Sequence, residues 1–200
     1  MTTSIQIERP APAPTLAPAK QRILDTADVL FYDEGIRAVG VDRLISASSV
    51  TKATFYKHYG SKDRLIGDYV ALRHRQSVVE LADLVQQHGE PEAVLRALQE
   101  TISASISSIE FRGCPFINAA AEFSDPTHPV RRSVVAHREW LVGAYEQLLR
   151  GLGHPMAGEA ADDLVLARDG AMTGGYAGDP IAASTALARA FDRVIDDARS

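Results

Sequence analysis

The apolar residues of this chain recur at intervals of three and four and nowhere alternate, and no other feature constrains its fold more. Ile23, Ala27, Leu30 and Phe31 form one such stripe; Val94, Leu95, Leu98, Ile102 and Ile106 form another. At about 100° per residue each set falls on one face of a helix, whereas a half-buried strand needs strict alternation. Glycine and proline cut this pattern into segments. A first helix starts at Lys20 and ends at Gly35, and a short one turns Val41, Leu44 and Ile45 inward. Ala47-Ser48-Ser49-Val50 reads as a turn, after which Thr51 opens TKATFYKHY, stopped by Gly60. Ser61 is a good N-cap for a helix over 61–87, closed by Gly89 and Pro91. Further helices are expected over 91–110, in FINAAAEF, and over 130–150, 157–176 and 180–198. The expected class is all-α.

Composition narrows the possibilities. The 200 residues are 46% hydrophobic and 24% charged, which suits a globular chain. No apolar run approaches the roughly 18 residues a membrane helix needs. The N-terminus lacks a charged segment leading into an apolar one, so a cytoplasmic protein without a secretory signal is expected. Residues 1–19 carry Pro10, Pro12, Pro14 and Pro18 among alanines and read as a disordered arm, either a solvated tail or a strand reaching into a DNA groove. Cys114 is the only cysteine, which excludes an internal disulfide and a cysteine-pair zinc site. The net charge of -5 is uneven: residues 20–75 carry ten Lys/Arg against seven Asp/Glu, and residues 76–200 ten against eighteen. All four lysines (Lys20, Lys52, Lys57 and Lys62) lie in the first third. A basic end on an acidic chain can engage nucleic acid while the rest repels it.

The stretch from Val41 to Lys62 is a helix, a short turn and a second helix of two turns, braced by the helix before it, which is a helix-turn-helix. On the second helix Phe55 points to the core, with Thr51, His58 and Tyr59 on its side. Ala53 and Lys57 point the opposite way, flanked by Thr54 and Tyr56. A small residue, a hydroxyl, a phenol and an ammonium suit the major groove: Lys57 can donate to guanine or phosphate, and Ala53 can touch a thymine methyl. Lys52 and Lys62 sit near helix N-termini, where backbone N–H groups also favour phosphate. For His58, packing and phosphate binding both stay open.

SSVTKATFYKHYGSKDRLI closely resembles the recognition-helix signature of the TetR family of transcriptional repressors, through Val50, Thr54, Phe55, Tyr56, His58, Ser61, Lys62 and Leu65. The resemblance implies an N-terminal three-helix helix-turn-helix domain over 20–66. It also implies a C-terminal helical ligand-binding and dimerisation domain over 67–200. DNA contacts are implied from Lys52, Ala53, Thr54, Tyr56, Lys57, His58 and Lys62. One departure stands out: the family's turn glycine is Ser49 here, and a left-handed serine costs on the order of 1–2 kcal/mol.

The resemblance further implies a homodimer on double-stranded operator DNA and a small-molecule effector, apolar or amphipathic. The stripes Leu164, Ala167 and Ala171, and Leu187, Phe191, Val194 and Ile195, are expected to pair two copies as a four-helix interface. Candidate effector contacts are Phe111, Cys114, Phe116, Asn118, Glu122, Trp140, Tyr145, Met172 and Tyr176. Cys114 also offers a redox switch, with Arg112 as its nearest cation in sequence. The six histidines show no metal-ligand spacing, and Gly174-Gly175 follows no strand, so no metal, no cofactor and no enzymatic activity is expected. The expected function is a ligand-responsive repressor released from a palindromic operator by its effector. An activator on the same fold, or a helical small-molecule-binding or adaptor protein without operator recognition, are the alternatives.

Overall fold

The computed structural model describes residues 7, 9–12 and 15–199; much of the expected arm, residues 1–6, 8, 13 and 14, lies outside the described residues. Among those described, the chain is all-α: α1 (Pro18–Glu34), α2 (Val41–Ala47), α3 (Lys52–Tyr59), α4 (Lys62–His88), α5 (Pro91–Ile106), α6 (Pro115–Glu122), α7 (Pro129–Leu152), α8 (Ala157–Ala177) and α9 (Pro180–Asp197). Most boundaries fall within one or two residues of the sequence reading, and two of the shifts have a local cause. α1 begins at Pro18 rather than Lys20, because a first-turn proline gives up an N–H that no helix bond needs. α5 stops at Ile106 rather than 110, where serine side chains compete for the backbone. Ser107 Oγ bonds the Ser103 carbonyl at 2.9 Å and Ser108 Oγ accepts from the Glu110 amide at 3.3 Å.

Two compact units form. One comprises Ala11–Gln76 with Pro115–Val135, the other Met1–Pro10, Ser77–Cys114 and Ala136–Ser200. In the first, α1 packs on α2 and α3. Its core buries Ile23, Ala27 and Phe31 of α1, Leu44 of α2, Phe55 and Tyr59 of α3, and Leu65, Tyr69 and Val70 of α4. Phe31 meets Tyr69 edge-on at 5.4 Å. Arg73 ties α4 to α1: its Nε lies 2.6 Å from the Asp28 carboxylate, and its guanidinium lies 4.8 Å from the centre of the Tyr32 ring.

In the second unit α8 packs along α9, and α5 packs on both. Close approach there depends on Gly175, where a Cβ would lie 2.4 Å from Ile106 Cγ2. Most of the stripe expected to pair two copies faces the chain's own interior instead: Leu164, Ala171, Leu187, Phe191 and Ile195 are buried within this one chain, and Ala167 and Val194 are half-buried. Periodicity marks a covered face without saying which chain covers it. The outward face carries Leu166, Gly170, Thr173 and Ala177 on α8 and Ile181, Ala182 and Ala186 on α9, with Leu166 61% and Ile181 79% exposed. No helix among the described residues is long and apolar enough to cross a membrane.

Candidate DNA-binding surface

The turn between α2 and α3 sets the direction of α3. Ser48 is buried, and its hydroxyl donates to the Leu44 carbonyl at 2.6 Å, closing α2. Ser49 then adopts φ 53, the left-handed conformation that the missing glycine would have taken without strain. Thr51 caps α3: its Oγ1 accepts from the Thr54 amide at 3.1 Å and lies 2.8 Å from Thr54 Oγ1. Thr51 is therefore exposed at the helix start rather than turned to the core, because a capping side chain must reach the free N–H groups of the first turn.

Two aromatic anchors hold α3 down. Phe55 and Tyr59 are buried with ring centres 6.1 Å apart, and Tyr59 Oη donates to the Lys20 carbonyl at 3.2 Å. What remains outward is Lys52, Ala53, Tyr56 and Lys57, all exposed; Thr54 and His58 are half-buried at the edges. Tyr56 is 44% exposed, its ring edge-on to Phe55 at 5.4 Å.

The four lysines differ in what they have left to offer. Lys20 is bound to Asp68 at 3.0 Å. The Lys62 ammonium lies over the Phe31 ring, 5.8 Å from its centre, and burial lowers its proton affinity against the pull of Glu122 and Asp63. Lys52 and Lys57 enter no ion pair among the described residues. A bound lysine has given up its charge to a carboxylate, and a free one can exchange its counterion for a phosphate.

The effector candidates divide between the units. Phe111, Cys114, Tyr145 and Met172 are buried in the C-terminal unit, Trp140 is half-buried there, and Tyr176 is 56% exposed. Phe116, Asn118 and Glu122 belong to the unit that contains the helix-turn-helix. Glu122 has a role that sequence reasoning missed. Its carboxylate accepts from the amides of Ile36 at 2.9 Å and Arg37 at 2.6 Å, in the loop joining α1 to α2. Gly35, at φ +94, exposes those two N–H groups past the end of α1 and leaves the carboxylate room above it. Arg37 then lies over Phe123, 5.3 Å from the ring centre. The sole trace of this clasp in the sequence is a glycine followed by two residues with unspent amides.

Comparison with known proteins agrees with this geometry. A family model described as bacterial regulatory proteins, tetR family, matches residues 23–69, the span of the helix-turn-helix and the start of α4. A solved TetR-family transcriptional regulator from Streptomyces coelicolor is 37% identical, over 91% of this chain and 96% of that one, with a TM-score of 0.87. The chain belongs to the TetR family. Membership and the all-helical class were both legible from the recognition-helix signature and the helical spacing. Two further relatives are more distant. The regulator LmrA of Bacillus subtilis is 28% identical over 138 residues, 68% of this chain and 73% of its own. The repressor DhaR of a Mycobacterium species is 22% identical over 132 residues, 66% of each. This TetR-family chain is a DNA-binding transcriptional regulator.

Proposed function

We propose that this regulator is a repressor that binds a palindromic operator as a homodimer and leaves it when a small apolar or amphipathic molecule binds the helices over 67–200. The observation that carries the reading is α3 itself: two exposed lysines with no ion-pair partner among the described residues flank a small residue and a half-exposed phenol. In this reading Lys52, Ala53, Thr54, Tyr56 and Lys57 enter the major groove, and His58 and Lys62 meet phosphate at its rim. The residues over 20–66 read DNA; those over 67–200 hold the effector and the dimer contact. The outward face of α8 and α9, with Leu166, Gly170, Ile181 and Ala182, is the surface we assign to the second copy, since it is apolar or small and uncovered. The name of DhaR supports repression rather than activation.

An effector acts in this scheme by changing the tilt of α4 and so the distance between the two recognition helices. To turn a population from 1:99 to 99:1 it must favour the released state by about 5.5 kcal/mol. No catalytic step enters, and the protein works in the cytoplasm where its operator lies. Anisotropy with a labelled fragment of the regulator's own upstream region, against a scrambled fragment, tests the reading. Tight binding to the native fragment, lost in Tyr56→Ala, is the expected result; equal weak binding to both fragments contradicts it.

A further inference from the structure

A buried polar cluster in the C-terminal unit takes no part in DNA binding. The Arg168 side chain of α8 is only 14% exposed. One guanidinium nitrogen donates to Asp169 at 2.8 Å, and two point at the Cys114 thiol, 3.8 and 3.9 Å from Sγ. A thiol is a weak acceptor for a charged fork whose natural complement is a carboxylate. Asp169 is also engaged by Arg138, so two guanidinium groups share one carboxylate, and the surroundings hold Arg168 charged despite its burial. Glu80 of α4 acts on Arg168 electrostatically but forms no ion pair with it.

The second member is Tyr145 of α7. It is fully buried, and its hydroxyl has no hydrogen-bond partner among the described residues. Burial pushes its phenol up to about 12, so at neutral pH it stands as an O–H donor. Arg168, Asp169 and Glu80 all lie within electrostatic reach of it. Buried hydroxyls are nearly always satisfied, and one left orphaned in a buried cluster lacks a piece of its surroundings.

We propose that Arg168 and Tyr145 anchor the effector, and that the effector is a carboxylate carried on an apolar body. The guanidinium fork takes the carboxylate in place of the Cys114 thiol, and the Tyr145 hydroxyl donates a further hydrogen bond. Asp169 already serves two arginines, and a cation that took Glu80 instead would leave the Arg168 fork on the thiol. A wholly apolar guest leaves the hydroxyl orphaned. Cys114 immediately precedes Pro115, the first residue of α6, and the last residue of α6 is Glu122. This inference rests on the ligand-responsive reading above.

Isothermal titration of the full-length protein with benzoate and octanoate, set against benzamide and octanol as uncharged counterparts, tests it. The carboxylates are expected to bind saturably, and the uncharged counterparts at least about tenfold more weakly, as the loss of a charge-assisted hydrogen bond requires. Tyr145→Phe and Arg168→Gln are each expected to weaken the carboxylates about tenfold. Tyr145→Phe should leave the melting temperature of the free protein unchanged or raised, because it removes an unpaired buried hydroxyl; a purely structural tyrosine would lower it. If Arg168→Gln does not fold, Tyr145→Phe alone decides. Equal binding of charged and uncharged probes, carboxylate binding indifferent to Tyr145→Phe, or no saturable carboxylate binding overturns the proposal. Operator anisotropy in the same samples separates the two readings. Carboxylate binding that Tyr145→Phe weakens, with operator affinity unchanged, retains the site and ends the ligand-responsive reading.

Discussion

Recognition helix α3 and the C-terminal unit treat their cations in opposite ways. On α3, Lys52 and Lys57 stand exposed with no ion-pair partner among the described residues. In the C-terminal unit Arg96, Arg138, Arg150, Arg168 and Arg199 each sit against a carboxylate. Arg112 donates to the carbonyls of Ile109 and Phe111, and Arg189 and Arg193 lie on the exposed side of α9. Surface ion pairs contribute about 0–1 kcal/mol, so stability cannot explain the contrast. Availability can. A lysine on α3 that found a carboxylate would gain little and would lose its use to a phosphate.

Raising the pH separates the units with the largest expected effect. The phenols of Tyr59 and Tyr69 in the helix-turn-helix unit, and of Tyr145 in the other, are held above the ordinary tyrosine value of 10.0, chiefly by burial. A group whose folded-state pKa is raised contributes stability that is intact below its unfolded value and is lost as pH climbs toward the folded one. Alkaline unfolding is therefore expected to begin above pH 10.0, with ionisation of these three buried phenols and loss of helical circular dichroism rising together. The unit with two such tyrosines should yield more steeply, and Tyr69→Phe should shallow that slope. Ionisation of these three phenols, read as the absorbance that each Tyr→Phe variant loses, while the helices persist would break the comparison.

Gly175→Ala should act on the C-terminal unit alone. The new methyl meets Ile106 at 2.4 Å, and overpacking of this kind costs about 1–3 kcal/mol, partly offset by alanine's better helix propensity. A lowered melting temperature with unchanged operator affinity of the folded protein is expected. Glu122→Ala should do the reverse, costing about 1 kcal/mol of stability for a half-exposed clasp while weakening operator binding. Unchanged DNA affinity in that variant would show that the clasp does not orient the α1–α2 loop. The smallest effect is expected from Ser49→Gly. Relief of φ 53 should stabilise by about 0.5–1 kcal/mol, as measured by chemical denaturation, and no gain would mean that the turn relaxes around serine.

The same contrast explains what could be read in advance. The helix-turn-helix is largely a local object: spacing turns Phe55 and Tyr59 inward and makes Ser61 a cap, as they stand, and it misses only Thr51, which caps α3 instead of facing the core. Even the strain at Ser49 follows from a single residue in a known turn. The C-terminal unit is built from partners distant in sequence. Cys114 meets Arg168 and Gly175 makes room for Ile106, pairings that leave no mark on periodicity. For the same reason the buried stripes of α8 and α9 read as an interface between copies when they are core, and Glu122 reads as a pocket residue when its carboxylate is spent on Ile36 and Arg37.

The most direct test of free lysines on α3 is the salt dependence of operator affinity in the wild type and in Lys52→Ala/Lys57→Ala. Each phosphate contact contributes about 0.9 to the slope of log affinity against log salt. The double variant should therefore lose about two from the slope per protomer, or about four for a dimer, with its melting temperature unchanged. A slope that stays the same in the variant would contradict the assignment of α3 as the DNA-reading helix.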